Sequence, residues 1–246
     1  MLIVFALSII CALLIMPAVG RRQTGAVPLF KGTGGHWKKN YGRRAFLKLG
    51  IALAGAGVLA YTGADEAIEG FHSATLRNSL TDRFSGLVKP AGERFWFGNW
   101  ALVASLDAWV RSNSFSRWGR ANFEAMVVGL PVLWTLQRGL GANRPSSDDG
   151  NPRWRPMKAA NSASGHAFIA AVPWLTLARR NNLVPVKLGA QVASMLTGWS
   201  RLNDRKHYVS QIILGWTIAW NATAAVADDE ADKSLPVVVP EPAEED

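Results

Sequence analysis

Three stretches of the chain, far apart in the sequence, concentrate arginine and histidine. They read QRGLGANRP (137–145), SGH (164–166) and SRLNDRKHYVSQ (200–211). Arginine offers planar donors that stay charged and fit the oxygens of a phosphate. One histidine can attack phosphorus as a nucleophile while a second protonates the leaving oxygen. If the fold brings the three stretches together, the chemistry they favour is phosphoryl transfer through a phosphohistidine.

The middle stretch, NSASGHAF (161–168), has two interpretations when taken alone. Ser164 fits a helix N-cap, with His166 facing solvent. The start of a helix also presents unpaired backbone N–H groups that bind anions, and a histidine there can move a proton. The two arginine-containing stretches favour the anion site. Neither His166 nor His207 has a carboxylate or cysteine at metal-ligand spacing, so no metal and no other cofactor is expected.

The ordered combination resembles the type 2 phosphatidic acid phosphatase (PAP2) superfamily, which includes bacterial acid phosphatases and vanadium haloperoxidases. The family pattern is K-x6-R-P, then P-S-G-H, then S-R-x5-H-x3-D. This chain reads Q-x6-R-P (137–145), A-S-G-H (163–166) and S-R-x5-H-x3-Q (200–211). The resemblance covers about residues 95–227 and implies an all-α helical bundle of the PAP2/haloperoxidase type.

The resemblance also implies a function for each motif residue. His207 would be the nucleophile that becomes phosphorylated, and His166 the general acid. Gln211 occupies the position beside the nucleophile. The implied phosphate-binding residues are Gln137, Arg144, Ser164, Gly165 and Arg201.

Three motif positions depart from the family pattern, and the mildest change is Ala163 in place of the proline before Ser164. Gln137 replaces a phosphate-binding lysine, for which Arg138 or Lys158 is a possible substitute. Gln211 replaces the aspartate that orients the nucleophilic histidine. An amide oxygen can accept the Nδ1–H bond but cannot stabilise an imidazolium electrostatically. Asp204 is a possible substitute for that carboxylate if the turn lets it reach the ring.

The elements that must position these residues are helical almost throughout. After residue 65 the apolar periodicity fits helices, and no alternating strand pattern is found. Their apolar cores are shorter than a bilayer requires, which favours a globular domain resting on the membrane over a fully embedded one. The expected helices are 66–86, 94–112, 117–141, 165–180, 184–203 and 206–226.

Composition divides the chain into three parts. Residues 1–64 form a membrane anchor or targeting region, with apolar segments 1–19 and 46–63 and a basic loop between them. Residues 65–227 form the PAP2-like catalytic domain. Residues 228–246 are acidic and proline-rich, which is typical of a disordered tail.

The net charge of +9 does not indicate a nucleic-acid partner, because the first basic block lies between two apolar segments. The positive-inside rule makes this block a cytoplasmic loop and places the domain on the periplasmic side of a bacterial inner membrane. Alternatively, GRRAFLKLG (42–50) resembles a twin-arginine export signal, with cleavage after Ala64. Both interpretations export the catalytic domain.

The expected function is a metal-independent phosphatase acting on a phosphate monoester or diphosphate, with a lipid phosphate as its substrate and the membrane as its partner. Three alternatives stay open. They are an acid phosphatase with a soluble substrate, a catalytically impaired member that binds phosphate or lipid, and a vanadate-dependent haloperoxidase.

Several residues outside the motifs have simpler interpretations. His36 and His72 are expected to be surface residues. The tryptophans are expected in the core and at interfaces, with Trp96, Trp100 and Trp134 as candidates for a lipid groove.

Overall fold

The computed structural model describes residues 33–109 and 114–231, which form nine α-helices and no strand. This confirms the all-α fold class. The apolar segment 1–19 and residues 232–246 of the acidic tail lie outside the described residues. The helices are α1 (Thr33–Asn40), α2 (Arg43–Tyr61), α3 (Ala64–Phe71), α4 (Ser79–Val88), α5 (Phe95–Trp109), α6 (Ser114–Leu140), α7 (Gly165–Arg180), α8 (Val184–Asn203) and α9 (Val209–Ala231).

Helix α7 is at the centre of the bundle. It packs against α6, α8 and α9, while α5 covers α6 and α2 lies along α9. This arrangement removes the apolar side of each helix from water, which is the main favourable contribution to folding. The largest fully buried apolar side chains are Phe168, Met126, Leu175, Leu214, Val128 and Val172.

The predicted bounds of α7 and α8 agree with the structure, whereas the single helix predicted over 66–86 is wrong. That segment divides into α3, a π-helical turn (His72–Leu76) and α4. Asn78 ends the first part because its side chain accepts bonds from Leu80 N and Thr81 N, and the Thr81 hydroxyl accepts from Asn78 N. This capping box starts a new helix at residue 79. A 3₁₀ turn, Lys89–Gly92, then leads into α5.

Helix α2 is the only helix within the described part of the chain that is long and apolar enough to cross a membrane. One side of it packs on the catalytic bundle, where Ala56 and Ala60 are fully buried and the Asn221 side chain donates to the Ala45 carbonyl at 3.1 Å. Within the basic segment before it, residues 33–40 form α1. The boundary between anchor and catalytic domain at residue 64 stays a prediction, but helices on its two sides pack together.

The expectation that His36 and His72 are surface residues is wrong. Both are buried: His36 lies 3.2 Å from Glu124, and His72 packs edge-on against Trp199. The expectation that the tryptophans lie in the core is confirmed for Trp96 and Trp100, which are buried and stack on each other. Trp134 is exposed, and a lipid groove at these three residues stays a prediction.

Candidate active site

The ends of four helices meet at one end of the bundle and carry the three motifs. The first motif spans the end of α6, the second starts α7, and the third runs from the end of α8 into the start of α9, with His207 just before α9. Close approach of α9 to the second motif requires Gly215, because a Cβ there would collide with the Ser164 carbonyl oxygen. The Ser164 N–H donates to the Gln211 carbonyl at 2.8 Å and holds the two helix starts together.

Gln211 fixes the orientation of the His207 ring. Its Oε1 lies 2.8 Å from His207 Nδ1, and its Nε2 donates to the backbone carbonyl of Asn143 at 2.8 Å. Since the Asn143 carbonyl can only accept, the amide oxygen must face the histidine. His207 therefore donates from Nδ1, which leaves the lone pair of Nε2 free.

His207 is held in its neutral form. Burial lowers its pKa to about 3, and the charges of Arg201 and Arg144 add to this effect, while the bond to Gln211 opposes it. A neutral ring with a free Nε2 lone pair is the form that can attack phosphorus.

Two arginines approach His207 from different elements. Arg201 is buried, and its Nε has no hydrogen-bond partner among the described residues. Its terminal nitrogen lies 3.4 Å from Asp204. Arg144 is exposed and donates from Nε to Asn161 at 2.9 Å. A buried donor without a partner favours an acceptor from outside the chain, and a phosphate oxygen fits it.

The start of α7 provides further donors. Ser164 is the N-cap, and its hydroxyl accepts from Ala167 N at 3.3 Å, so the predicted cap is confirmed. The backbone N–H groups of Gly165 and His166 have no partner within the described ranges. Together with the two arginines, they form a set of donors suited to an anion.

Gln137 contacts the turn that precedes α7, and its side chain binds the backbone of that turn. Its Nε2 donates to the Ala163 carbonyl at 2.9 Å, and Ser162 donates to the Leu136 carbonyl at 2.5 Å. These bonds fasten the turn before α7 to the end of α6. The amide of Gln137 thus holds the loop, and its part in binding phosphate stays a prediction.

The structure does not bring the possible substitutes, Arg138 or Lys158 for the family lysine and Asp204 for the family aspartate, to the places of the missing charges. Arg138 and Lys158 are exposed, and neither side chain contacts a motif residue in the described part of the chain. Asp204 pairs with Arg201 and accepts from Ser85 at 2.7 Å, while Gln211 occupies the Nδ1 side of His207.

Helix α3 lies outside the motifs and holds the segment around His207. The buried Asp65 carboxylate accepts hydrogen bonds from Ser210 N at 3.0 Å and from the Ser210 hydroxyl. These bonds attach the start of α9 to α3. Glu69 accepts from Arg205 Nε at 2.7 Å. No local pattern predicts these contacts, because Asp65 lies 145 residues from Ser210.

A second residue that sequence reasoning missed is Glu93, just after the 3₁₀ turn. Its Oε1 lies 3.4 Å from His166 Nε2. The turn packs directly on the start of α7, since a Cβ on Gly92 would lie 2.6 Å from the His166 carbonyl oxygen. Only a glycine allows this approach.

The model of the PAP2 superfamily matches residues 125–232. This stretch contains all three motifs. Residues 125–232 are therefore similar to the PAP2 superfamily. The PAP2 stretch begins within α6 and ends with α9, so Asp65 and Glu93 lie outside it.

The fold agrees with the PAP2 assignment. The chain is similar to the crystal structure of a transmembrane PAP2-type phosphatidylglycerolphosphate phosphatase from Bacillus subtilis, with a TM-score of 0.58 and 18% sequence identity over 81% of this chain and 99% of that one. No curated protein matches the chain. The match to the PAP2 model and the PAP2 fold together support phosphatase activity.

Proposed function

We propose that this protein is a membrane-associated, metal-independent phosphatase that hydrolyses a lipid phosphate monoester or diphosphate through a phosphohistidine. The phosphate end of the substrate would lie between the arginines and the start of α7. The observation that favours a lipid is an apolar groove that begins beside these residues.

In the first half-reaction, the Nε2 lone pair of His207 attacks phosphorus and forms a P–N bond. The bond between phosphorus and the leaving oxygen breaks, and that oxygen takes the proton of His166. Arg144 and Arg201 bind the phosphate oxygens and stabilise the charge of the transition state. Since the guanidinium groups and backbone N–H groups provide this stabilisation, the reaction needs no metal ion.

In the second half-reaction, water replaces His207 on phosphorus. His166, now neutral, accepts a proton from the water, whose oxygen forms the new bond to phosphorus. The P–N bond breaks and its electron pair returns to Nε2. Inorganic phosphate leaves, and both histidines regain their starting protonation states.

The apolar groove lies between α8 and α9 and has a volume of about 450 Å³. Three of its lining residues are neighbours of site residues in the sequence: Ala167 follows His166, Leu202 follows Arg201, and Val209 lies two residues after His207. The rest of its lining is mostly apolar and includes Met195, Ile213 and Trp216, with Ser194 and Thr217 as the hydroxyl-bearing residues. An apolar chain attached to a phosphate bound at the site can lie in this groove, which favours a lipid over a soluble ester.

This proposal predicts a selective effect of Met195→Glu, which places a carboxylate in the groove. We expect the KM for a long-chain lipid phosphate to rise about tenfold or more, because each methylene kept out of the groove costs about 0.8 kcal/mol. The KM for p-nitrophenyl phosphate should not change, since that substrate has no apolar chain. Both substrates are assayed in EDTA with detergent.

The matched control is Val192→Glu, an equally exposed position on α8 that does not line the groove. It should leave both KM values unchanged. An equal effect of Met195→Glu on the two substrates would contradict the lipid assignment. Absence of phosphate release from every substrate, with a folded protein, would contradict the phosphatase itself.

The length of α2 and the charges at its N-terminal end support the sidedness that we propose for the site. A helix of 19 residues is roughly 28 Å long, close to the thickness of the bilayer core. Basic residues are concentrated at its N-terminal end, and the positive-inside rule places them in the cytoplasm. The other end leads through α3 to the active site, which we therefore place on the extracytoplasmic side. The basic residues are Lys38, Lys39, Arg43, Arg44 and Lys48.

Cysteine labelling tests this orientation. In a Cys11→Ser background, Thr75→Cys is placed in the exposed turn after α3, and Lys38→Cys on the exposed side of α1. We expect a membrane-impermeant maleimide to label Thr75→Cys in intact cells, and Lys38→Cys only after the membrane is opened. The reverse pattern would overturn the proposed orientation.

A further inference from the structure

Among the described residues, one carboxylate acts on His166, and it comes from outside the PAP2 motifs. The charged and titratable groups that act on His166 are Arg201 from α8, Lys89 and Glu93 from the 3₁₀ turn and its end, and His207 before α9. Of these, only Glu93 is negative. Its Oε1 is 3.4 Å from His166 Nε2.

The segment that carries Glu93 is fixed in place. Thr197 donates to the Val88 carbonyl at 2.9 Å, and the Trp96 indole donates to the Pro90 carbonyl at 2.8 Å. The Glu93 N–H donates to Pro90 at 3.3 Å, and Gly92 contacts the His166 backbone. Glu93 is therefore presented to His166 by a built turn and not by a free loop.

A negative charge beside a phosphate site repels the substrate. Its presence there therefore suggests a role that offsets this cost. Burial, Arg201 and Lys89 lower the pKa of His166, and Glu93 opposes them, so that on balance the pKa of His166 stays below its usual value. A general acid must carry its proton when substrate binds. Arg201 therefore works against this role of His166, and the carboxylate of Glu93 offsets part of its effect.

Resting on the proposed phosphatase function, we propose that Glu93 is the carboxylate that keeps His166 protonated as the general acid. The two histidines of the site then have opposite partners. His207 faces the neutral amide of Gln211 and stays a neutral nucleophile, whereas His166 faces a carboxylate and holds a proton.

The test is the pH profile of kcat/KM for Glu93→Gln, which removes the charge and keeps the shape. We expect the alkaline limb to move to lower pH, because His166 loses its proton more easily without the anion. An alkyl phosphate should lose more activity than p-nitrophenyl phosphate. Its alkoxide leaving group needs the proton, whereas p-nitrophenolate leaves as a stable anion.

The matched control is Glu66→Gln, which removes one negative charge from an exposed position on α3. It should leave the alkaline limb and the ratio between the two substrates unchanged. Glu93→Asp should retain part of the wild-type profile. An unshifted alkaline limb in Glu93→Gln, with the protein folded and the wild type active, would overturn this inference alone. An inactive wild type would instead count against the proposed function.

Discussion

Replacing His207 by alanine is expected to abolish turnover and the phosphoenzyme together. The ring is the proposed nucleophile, and the remaining groups can bind phosphate but cannot form the P–N bond. Losses of about 10³-fold or more are usual when a nucleophile is removed. The measurement is phosphate release from ³²P-labelled substrate, with a rapid alkaline quench that preserves phosphohistidine.

The matched control is His72→Ala, which removes another histidine that is 5% exposed, as His207 is. This variant should retain both turnover and the trapped phosphohistidine, once its folding is checked by circular dichroism. Survival of labelled enzyme in His207→Ala would refute the assignment of the nucleophile. Since the pKa of His207 is about 3, we also expect no loss of the neutral nucleophile between pH 5 and 7.

Gln211→Leu should lower kcat by about 10²- to 10⁴-fold and change KM little. Leucine removes the acceptor that fixes the Nδ1–H tautomer of His207, while the backbone bond from Ser164 N–H to residue 211 remains. The ring is then free to present Nε2–H, which cannot attack phosphorus. Gln191→Leu on α8 makes the same amide-to-leucine change outside the site, and should leave kcat unchanged.

Gln211→Glu tests the same contact in the other direction. A carboxylate beside Nδ1 stabilises the imidazolium and raises the pKa of His207 above about 3. Neutral nucleophile is then lost as the pH falls through the raised pKa, so the acid limb of kcat/KM should move to higher pH. A Gln211→Leu enzyme with wild-type kcat, or a Gln211→Glu enzyme with an unshifted acid limb, would show that Gln211 does not control the ring.

The parts of the molecule that could be predicted from sequence depend on local signals. Helix α7 was predicted with the observed bounds because Ser164 is a strong N-cap next to an apolar pattern. The family resemblance is confirmed because three motifs keep their order and spacing. The break at Asn78 was missed because the apolar pattern continues across it, and only the capping box ends the helix.

The parts that could not be predicted depend on contacts between distant segments. Glu93 follows a lysine, a proline and a glycine, which read as an ordinary turn, and nothing local indicates that Gly92 will lie on His166. The choice between an orienting carboxylate at 204 and an amide at 211 also depends on geometry. Motif spacing cannot show that Asn143 accepts from the Gln211 amide and fixes its direction.

The contact between Asp65 and Ser210 can form only late in the synthesis and folding of the chain. Synthesis proceeds from the N-terminus, so α3 exists long before its partner, which follows 145 residues later. Contacts of such long range form late in folding, because a large loop must close first. Asp65 accepts the hydrogen bonds of Ser210 at the start of α9 only when this last helix packs on the bundle. The contact that holds the segment beside the proposed nucleophile, His207, is thus made at the final stage of assembly, and a nascent chain that lacks α9 does not have it.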